Sequence, residues 1–212
     1  MTSPALGSLP GWFVVLEGGE GGGKSTQIEL LAQHLRGQGC EVVVTREPGG
    51  SPRAEAIREL ILAPGDLDAR CEALLFAAAR ADHAATVIRP ALQRGAVVLS
   101  DRYLDSSVAY QGVARSLGER QIRDLSLWAT HDLVPDLTVI LDIDPRVGLA
   151  RAQDANRLEA EPLDFHDAVR AAFLRFADAH PDRYLVVAAD SDREAVATAI
   201  AGRVDVLLGE GA

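Results

Sequence analysis

Five short apolar runs punctuate the chain, and stretches of helical periodicity lie between them. The runs are Phe13-Val14-Val15-Leu16, Val42-Val43-Val44, Ala96-Val97-Val98-Leu99, Leu137-Thr138-Val139-Ile140-Leu141 and Tyr184-Leu185-Val186-Val187. They are unalternated and rich in β-branched residues, which predicts strands buried on both faces of a parallel sheet. From Ser25 to Arg36, Ile28, Leu31, Ala32 and Leu35 recur at helical spacing, and Gly37 or Gly39 ends the pattern. A short helix is predicted after Pro52, and a long one from Asp68 towards Pro90, closed by Gly95. Further helices are predicted near 104–113, 119–132, 145–155, 164–179 and 192–208. The last begins with Ser191 followed three residues on by Glu194, a capping-box pattern. On the long helix the apolar stripe is Leu74, Leu75, Ala78, Ala81, Ala85 and Ile88. That stripe predicts the core face, with Glu72, Phe76, Arg80 and His83 on another side. Strand–helix alternation predicts an α/β fold, a doubly wound parallel sheet of five strands flanked by helices. Ligands then gather at the carboxyl ends of the strands.

With 212 residues the chain suits one domain. Residues 1–10 carry Pro4, Gly7, Ser8 and Pro10 and are expected to be a flexible segment, with a single domain over 11–212. The first eleven residues have no basic region and no long apolar core, so no secretory signal is expected. No apolar run reaches the ~18 residues of a membrane span. Two cysteines, Cys40 and Cys71, make no disulfide framework. Both are expected as packing residues in a reduced, cytoplasmic protein. The formal net charge is −10, and the pI near 4.9 argues against a nucleic-acid partner. A small anion remains open, because a few focused arginines can dominate a local field. Of the 21 basic residues only Lys24 is a lysine. The position that kept lysine needs a compact ammonium on a flexible stem.

Lys24 closes Gly18-Gly19-Glu20-Gly21-Gly22-Gly23-Lys24-Ser25, which fits G-x-x-x-x-G-K-[ST] between a strand and a helix. Glycines let backbone N–H groups approach phosphate oxygens, and the helix start aims its positive dipole end at the same anion. The loop, with Thr26 beyond it, is read as an ATP site, with Lys24 on the β- and γ-phosphates and Ser25 on Mg²⁺. This makes the fold a P-loop NTP-hydrolase type. A dinucleotide turn fails, because G-x-G-x-x-G would need glycine at Lys24 or Thr26. An Asn-Lys-x-Asp guanine reader needs a second lysine, and a partition-type ATPase needs one where Gly18 stands.

Asp101-Arg102-Tyr103 follows the third strand. Its carboxylate can position Mg²⁺ through water, and its arginine can hold a phosphate. Phe76 and Arg80, one helical turn apart, can stack a base and bond its edge. Thr45-Arg46-Glu47-Pro48-Gly49-Gly50 forms a turn that can bring Arg46 to an acceptor. His83 has no nucleophile to serve and is read as structural.

Taken together these elements resemble the thymidylate kinase family. The P-loop, Thr45 to Gly50, Phe76 with Ala78-Ala79-Arg80, Asp101-Arg102-Tyr103 and Ser106 to Gly112 stand in family order, and Pro135-Asp136-Leu137-Thr138 and Leu141-Asp142 continue the match. The resemblance implies phosphoryl transfer from ATP·Mg²⁺ to dTMP by a homodimer. It implies Glu20 on the sugar 3′-hydroxyl, Phe76 on thymine and Arg80 at its edge. Arg102 would hold the acceptor phosphate with Arg46 nearby, Ser107 and Gln111 would face the base, and Tyr103 the sugar 2′ position. One family type carries a catalytic arginine inside the P-loop. Gly21 stands there, so the chain resembles the type with a lid, here about 146–159, whose Arg151 and Arg157 would be catalytic with Lys24 and Arg102. Gln153, Asp154 and Ala155 make its middle less basic than that type's usual lid. A helix to about Ala152 and then a loop carrying Arg157 are expected.

Two rivals stay open at this point. One is a kinase for another nucleotide or a deoxynucleoside. The other is an ATP-dependent regulatory module, against which the acceptor residues speak.

Overall fold

The computed structural model describes residues 9–151 and 157–209. Most of the expected flexible N-terminal segment and the middle of the expected lid therefore lie outside the described residues. The strands are β1 (Trp12–Gly18), β2 (Val42–Arg46), β3 (Val97–Asp101), β4 (Leu137–Asp142) and β5 (Tyr184–Ala188). They form one parallel sheet in the order β2-β3-β1-β4-β5. The central strands are buried along nearly all their length. The edge strands are not: Val44 on β2 is 42% exposed and Val186 on β5 is 45% exposed. An apolar run marks a strand well, but it does not say whether a neighbour covers it on both sides.

The helices are α1 (Lys24–Gly37), α2 (Pro52–Leu62), α3 (Ala69–His83), α4 (Arg89–Gln93), α5 (Leu104–Ser107), α6 (Glu119–Thr130), α7 (Pro145–Arg151), α8 (Leu163–Ala179) and α9 (Arg193–Gly209). The long helix expected up to Pro90 runs to Gln93, through a π-helical turn at Ala84–Ile88. Pro90 has no N–H for the ladder, and the widened turn lies just before it. A second π-helical segment, Val108–Ala114, continues α5. Asp68 caps α3, accepting from the N–H groups of Arg70 and Cys71. At α9 the acceptor is Asp192, which takes the N–H groups of Glu194 and Ala195; the expected Ser191 capping box is displaced by one residue.

Alternate strand residues point to opposite faces. Val14, Leu16, Leu99 and Val139 pack against Ile28, Leu31 and Leu35 of α1 and Ile200 and Val204 of α9. Phe13, Val15, Val98 and Ile140 pack against Ile88, Leu92, Leu104, Val108 and Phe173. The chain after β1 thus enters a helix on one face, and the chain after β3 enters helices on the other. A crevice opens between the ends of these two adjacent strands, which is where such sheets bind ligands.

Of the expected stripe Ile88 is buried, but on α3 itself the most deeply buried residues lie on the other side. Glu72, Phe76, Arg80 and His83 are buried, while Leu74 is 59% exposed and Ala78 and Ala85 are exposed. Polar partners from distant segments make that burial tolerable, as the site shows. Cys71 is exposed and so is no packing residue; Cys40 is half-buried against the α1 face, and both thiols are free. Among the described residues no helix is long and apolar enough to cross a membrane.

Candidate active site

The loop after β1 wraps the start of α1. Gly21 and Gly23 take left-handed φ values of 66° and 79°, which only glycine adopts at little cost. Lys24 is the first residue of α1, and its Nζ donates to the carbonyls of Gly19 at 2.8 Å and Gly18 at 3.2 Å. Burial and the nearby Arg102 depress its pKa. The Ser25 hydroxyl donates to Asp101 Oδ2 at 2.9 Å, which joins the ends of the loop and of β3.

Arg102 stands at a left-handed φ of 68°, a conformation an arginine holds only under tertiary constraint. The constraints are visible. Its N–H donates to Leu16 O, and Ser100 Oγ donates to its carbonyl. Its guanidinium donates to Gly18 O and Ser106 Oγ, each at 3.1 Å, and to Glu20 Oε1 at 2.5 Å. It also lies 5.2 Å from the centroid of the Tyr110 ring. Burial works against its charge, yet Glu20 and its other anionic neighbours hold its pKa above the usual value. In turn Arg102 and Lys24 outweigh burial and keep Glu20 below the usual carboxylate range.

A cavity of about 420 Å³ runs from the phosphate loop to α3. Positive charge lines its phosphate end: Lys24, Arg102, Arg46 and Arg58. Arg46 pairs with Glu55 at 3.0 Å, and Arg58 donates to Pro48 O at 2.8 Å. Burial, then Arg46, lowers the pKa of Arg58. Sequence reasoning missed Arg58. The signal was there: it shares a helical stripe with Ala54 and Ile61, the buried residues of α2.

At the other end, Phe76, Ser107, Tyr110 and Gln111 line the cavity with Leu158. Arg80 and Tyr103 do not. Arg80 is 1% exposed and donates to Glu47, Ser126, the Tyr103 carbonyl and Ser107. Its bond to Ser107 Oγ, at 2.9 Å, braces the cavity wall from behind. Tyr103 lies in the core, edge-on to Phe13 at 4.9 Å, with its hydroxyl on Leu133 O. The left-handed turn at Arg102 sends the next side chain inward. Tyr110 is the tyrosine at the site, its hydroxyl 3.3 Å from Glu20 Oε1, and it was not singled out. His83 is structural as expected, buried between Thr45 and Glu47.

In this structure the lid arginines Arg151 and Arg157 make contacts away from the phosphate loop. Arg151, the last described residue of α7, is exposed and 3.5 Å from Ala189 O. Arg157 donates to Ile61 O and pairs with Glu72 at 2.7 Å, behind the base end of the cavity. Neither lines the cavity. Glu72 draws Arg157 because a fully buried carboxylate needs a positive partner. Residues 152–156, where the helix was expected to break, lie outside the described residues.

The thymidylate kinase profile matches residues 16–200. Thymidylate kinase from Clavibacter sepedonicus is 56% identical over 209 residues, covering 96% of this chain and 99% of that protein. Its counterpart from Leifsonia xyli subsp. xyli is 55% identical over 201 residues, 92% and 95% of the two chains. The crystal structure of thymidylate kinase from Ehrlichia chaffeensis superposes with a TM-score of 0.76 at 32% identity, covering 93% of this chain and 98% of that one. A P-loop closed by a single lysine, an arginine strained into place opposite it and a cavity ending on Phe76 agree with these matches: the chain belongs to the thymidylate kinase family.

Proposed function

We propose that the chain transfers the γ-phosphoryl group of ATP to dTMP, giving ADP and dTDP. One observation carries the reading. A single cavity joins the phosphate loop to an apolar and hydrogen-bonding wall, with Lys24 and Arg102 between them. ATP binds on Gly18 to Thr26. The acceptor phosphate lies on Arg102 with Arg46 and Arg58, its sugar near Glu20 and Tyr110, and its base on Phe76 with Ser107 and Gln111.

The acceptor is already a phosphate oxygen, so no general base is required. The transferring group develops charge on its equatorial oxygens, and alignment plus cationic stabilisation lowers the barrier. Lys24 and Arg102 supply that charge. Arg102 is rigid: its three hydrogen-bond acceptors hold the guanidinium in place before substrate arrives, so little reorganisation is needed.

A hydroxyl and a carboxylate, Ser25 and Asp101, meet beside the loop. They are hard oxygen donors and fit Mg²⁺. Among the described residues no cluster of three His, Cys, Asp or Glu side chains could hold a metal alone. That donor set suits an ion shared with nucleotide phosphates. Ser25 would hold it directly and Asp101 through water, and the ion would neutralise charge on the β- and γ-phosphates.

A homodimer in the cytoplasm completes the proposal. Support for the dimer is the apolar exposure of adjoining helices: Leu60 on α2 at 61%, Leu74 on α3 at 59% and Trp128 on α6 at 80%. The test of function is a coupled ADP-release assay across nucleoside monophosphates and nucleosides. Turnover with dTMP well above every other acceptor supports the reading. Preference for a nucleoside, or acceptor-independent ADP release, contradicts it.

A further inference from the structure

We infer that Glu72, a carboxylate outside the cavity, sets the hydrogen-bonding polarity of the base site by orienting Gln111, and thereby selects a pyrimidine that carries a ring N–H. The inference rests on the reading of this cavity as a deoxynucleoside monophosphate site.

Glu72 lies on α3 and is 0% exposed. Gln111 Nε2 donates to its Oε1 at 2.8 Å. Its Oε2 is paired with Arg157 at 2.7 Å and Arg115 at 3.4 Å. Arg115 is itself held by Glu161 at 2.6 Å and lies over the Phe165 ring. A carboxylate paired with two guanidiniums can only accept hydrogen bonds. The amide nitrogen of Gln111 must therefore face Glu72, and the amide oxygen must face away. That oxygen is buried and has no hydrogen-bond partner among the described residues, and Gln111 is part of the cavity wall.

One turn earlier stands Ser107. Its Oγ accepts from Arg80, which leaves its own hydrogen free to donate. Residues four apart on a helical segment share a face. The wall thus offers one donor, from Ser107, beside one acceptor, from Gln111. Thymine and uracil present the complement, a carbonyl oxygen beside a ring N–H. Cytosine presents the reverse, an amino group beside a bare ring nitrogen, and would set that ring nitrogen against the Gln111 oxygen, acceptor against acceptor. A buried acceptor left unpaired is costly, so the right base gains by satisfying it and the wrong base cannot. Glu72 never touches the base. It is a positioning residue that keeps the Gln111 amide from turning over.

The test compares kcat/KM for dTMP and dCMP in the wild type and in Glu72→Gln, with circular dichroism and thermal melting to confirm folding. An amide at position 72 can donate as well as accept, so Gln111 is released to present either end. The dTMP-to-dCMP ratio should fall by at least about tenfold, through a higher KM for dTMP and a gain on dCMP, with the KM for ATP nearly unmoved. Gln111→Leu removes the acceptor without disturbing the charges at Glu72. It should also collapse the ratio, and an unchanged ratio there overturns the inference even if Glu72→Gln does not fold. A folded Glu72→Gln enzyme with the wild-type ratio overturns the inference, as does an unchanged ratio in Gln111→Leu. A wild type that does not turn over dTMP overturns the functional reading instead, which separates the two failures.

Discussion

Gly21 and Gly148 meet backbone to backbone. A Cβ on Gly21 would stand 2.0 Å from the Gly148 carbonyl oxygen, and one on Gly148 would stand 2.2 Å from the Glu20 carbonyl oxygen. No side chain fits at either position while α7 lies against the phosphate loop. The contact gives a physical reason for glycine at the position where one family type places a catalytic arginine: the arginine and this seat for α7 exclude each other.

Substitution at that contact should therefore be costly. Gly148→Ala forces the loop and α7 apart, and overpacking of this kind costs about 1–3 kcal/mol. Urea unfolding should show that loss, and kcat should fall with it. Gly21→Arg should not act as a substitute catalyst; its kcat should lie below the wild type. Wild-type kcat in either variant would mean that α7 does not need this seat.

Lys24→Ala should lower kcat by about two to three orders of magnitude, the usual loss when one preorganised charge donor is removed from a developing anion. The side chain bonds only to loop carbonyls, so the melting temperature should change little. Lys24→Arg should fail as well, because a planar fork does not fit the space of an ammonium held between Gly18 and Gly19. Near-normal turnover of the arginine variant would contradict this.

Glu17 on β1 accepts from the Tyr103 and Ser106 N–H groups and from Ser106 Oγ, which itself accepts from Arg102. Burial, eased by Arg102, raises its pKa from 4.5 to about 7. Between those values the native chain holds a proton that the unfolded chain has released. The stability contributed by that group is then fully present below about pH 4.5 and falls as pH rises to about 7. Glu17→Gln does not titrate. The stability difference, wild type minus variant, should decline across that window and flatten above it. Unfolding curves at several pH values measure this, and a difference constant with pH would show that Glu17 ionises normally in the fold.

Phe76→Ala should raise the KM for dTMP far more than the KM for ATP, since Phe76 lines the cavity away from the phosphate loop. The wild type should prefer dTMP to dUMP by the worth of one methyl contact, about 1–3 kcal/mol. Equal shifts in both KM values would mark Phe76 as a core residue only.

What could be read from the sequence, and what could not, follows from where the partners lie. The phosphate loop and all five strands were legible, because apolar runs and the G-x-x-x-x-G-K-S spacing are local signals. The face of α3 was not. Leu74, Ala78 and Ala85 look like a core stripe, yet the structure buries Glu72, Arg80 and His83. Arg80 and His83 share Glu47, 33 and 36 residues away, and Glu72 shares Gln111 and Arg115. Burial of these charged groups is tolerated because each meets partners on other elements, which periodicity cannot see. The same blindness hides that Tyr103 packs in the core while Tyr110 lines the cavity, and that Arg157 pairs with Glu72. Leu74, on the opposite side of α3, is instead 59% exposed.

The central claim is that the γ-phosphoryl group of ATP passes to the phosphate of dTMP held by Arg102. Its most direct measurement is product stoichiometry: enzyme, ATP, Mg²⁺ and dTMP are incubated and the nucleotides separated by anion exchange. The wild type should form dTDP and ADP in equal amounts, and Arg102→Ala should form little of either. ADP without dTDP, or transfer to thymidine in preference to dTMP, would contradict the account.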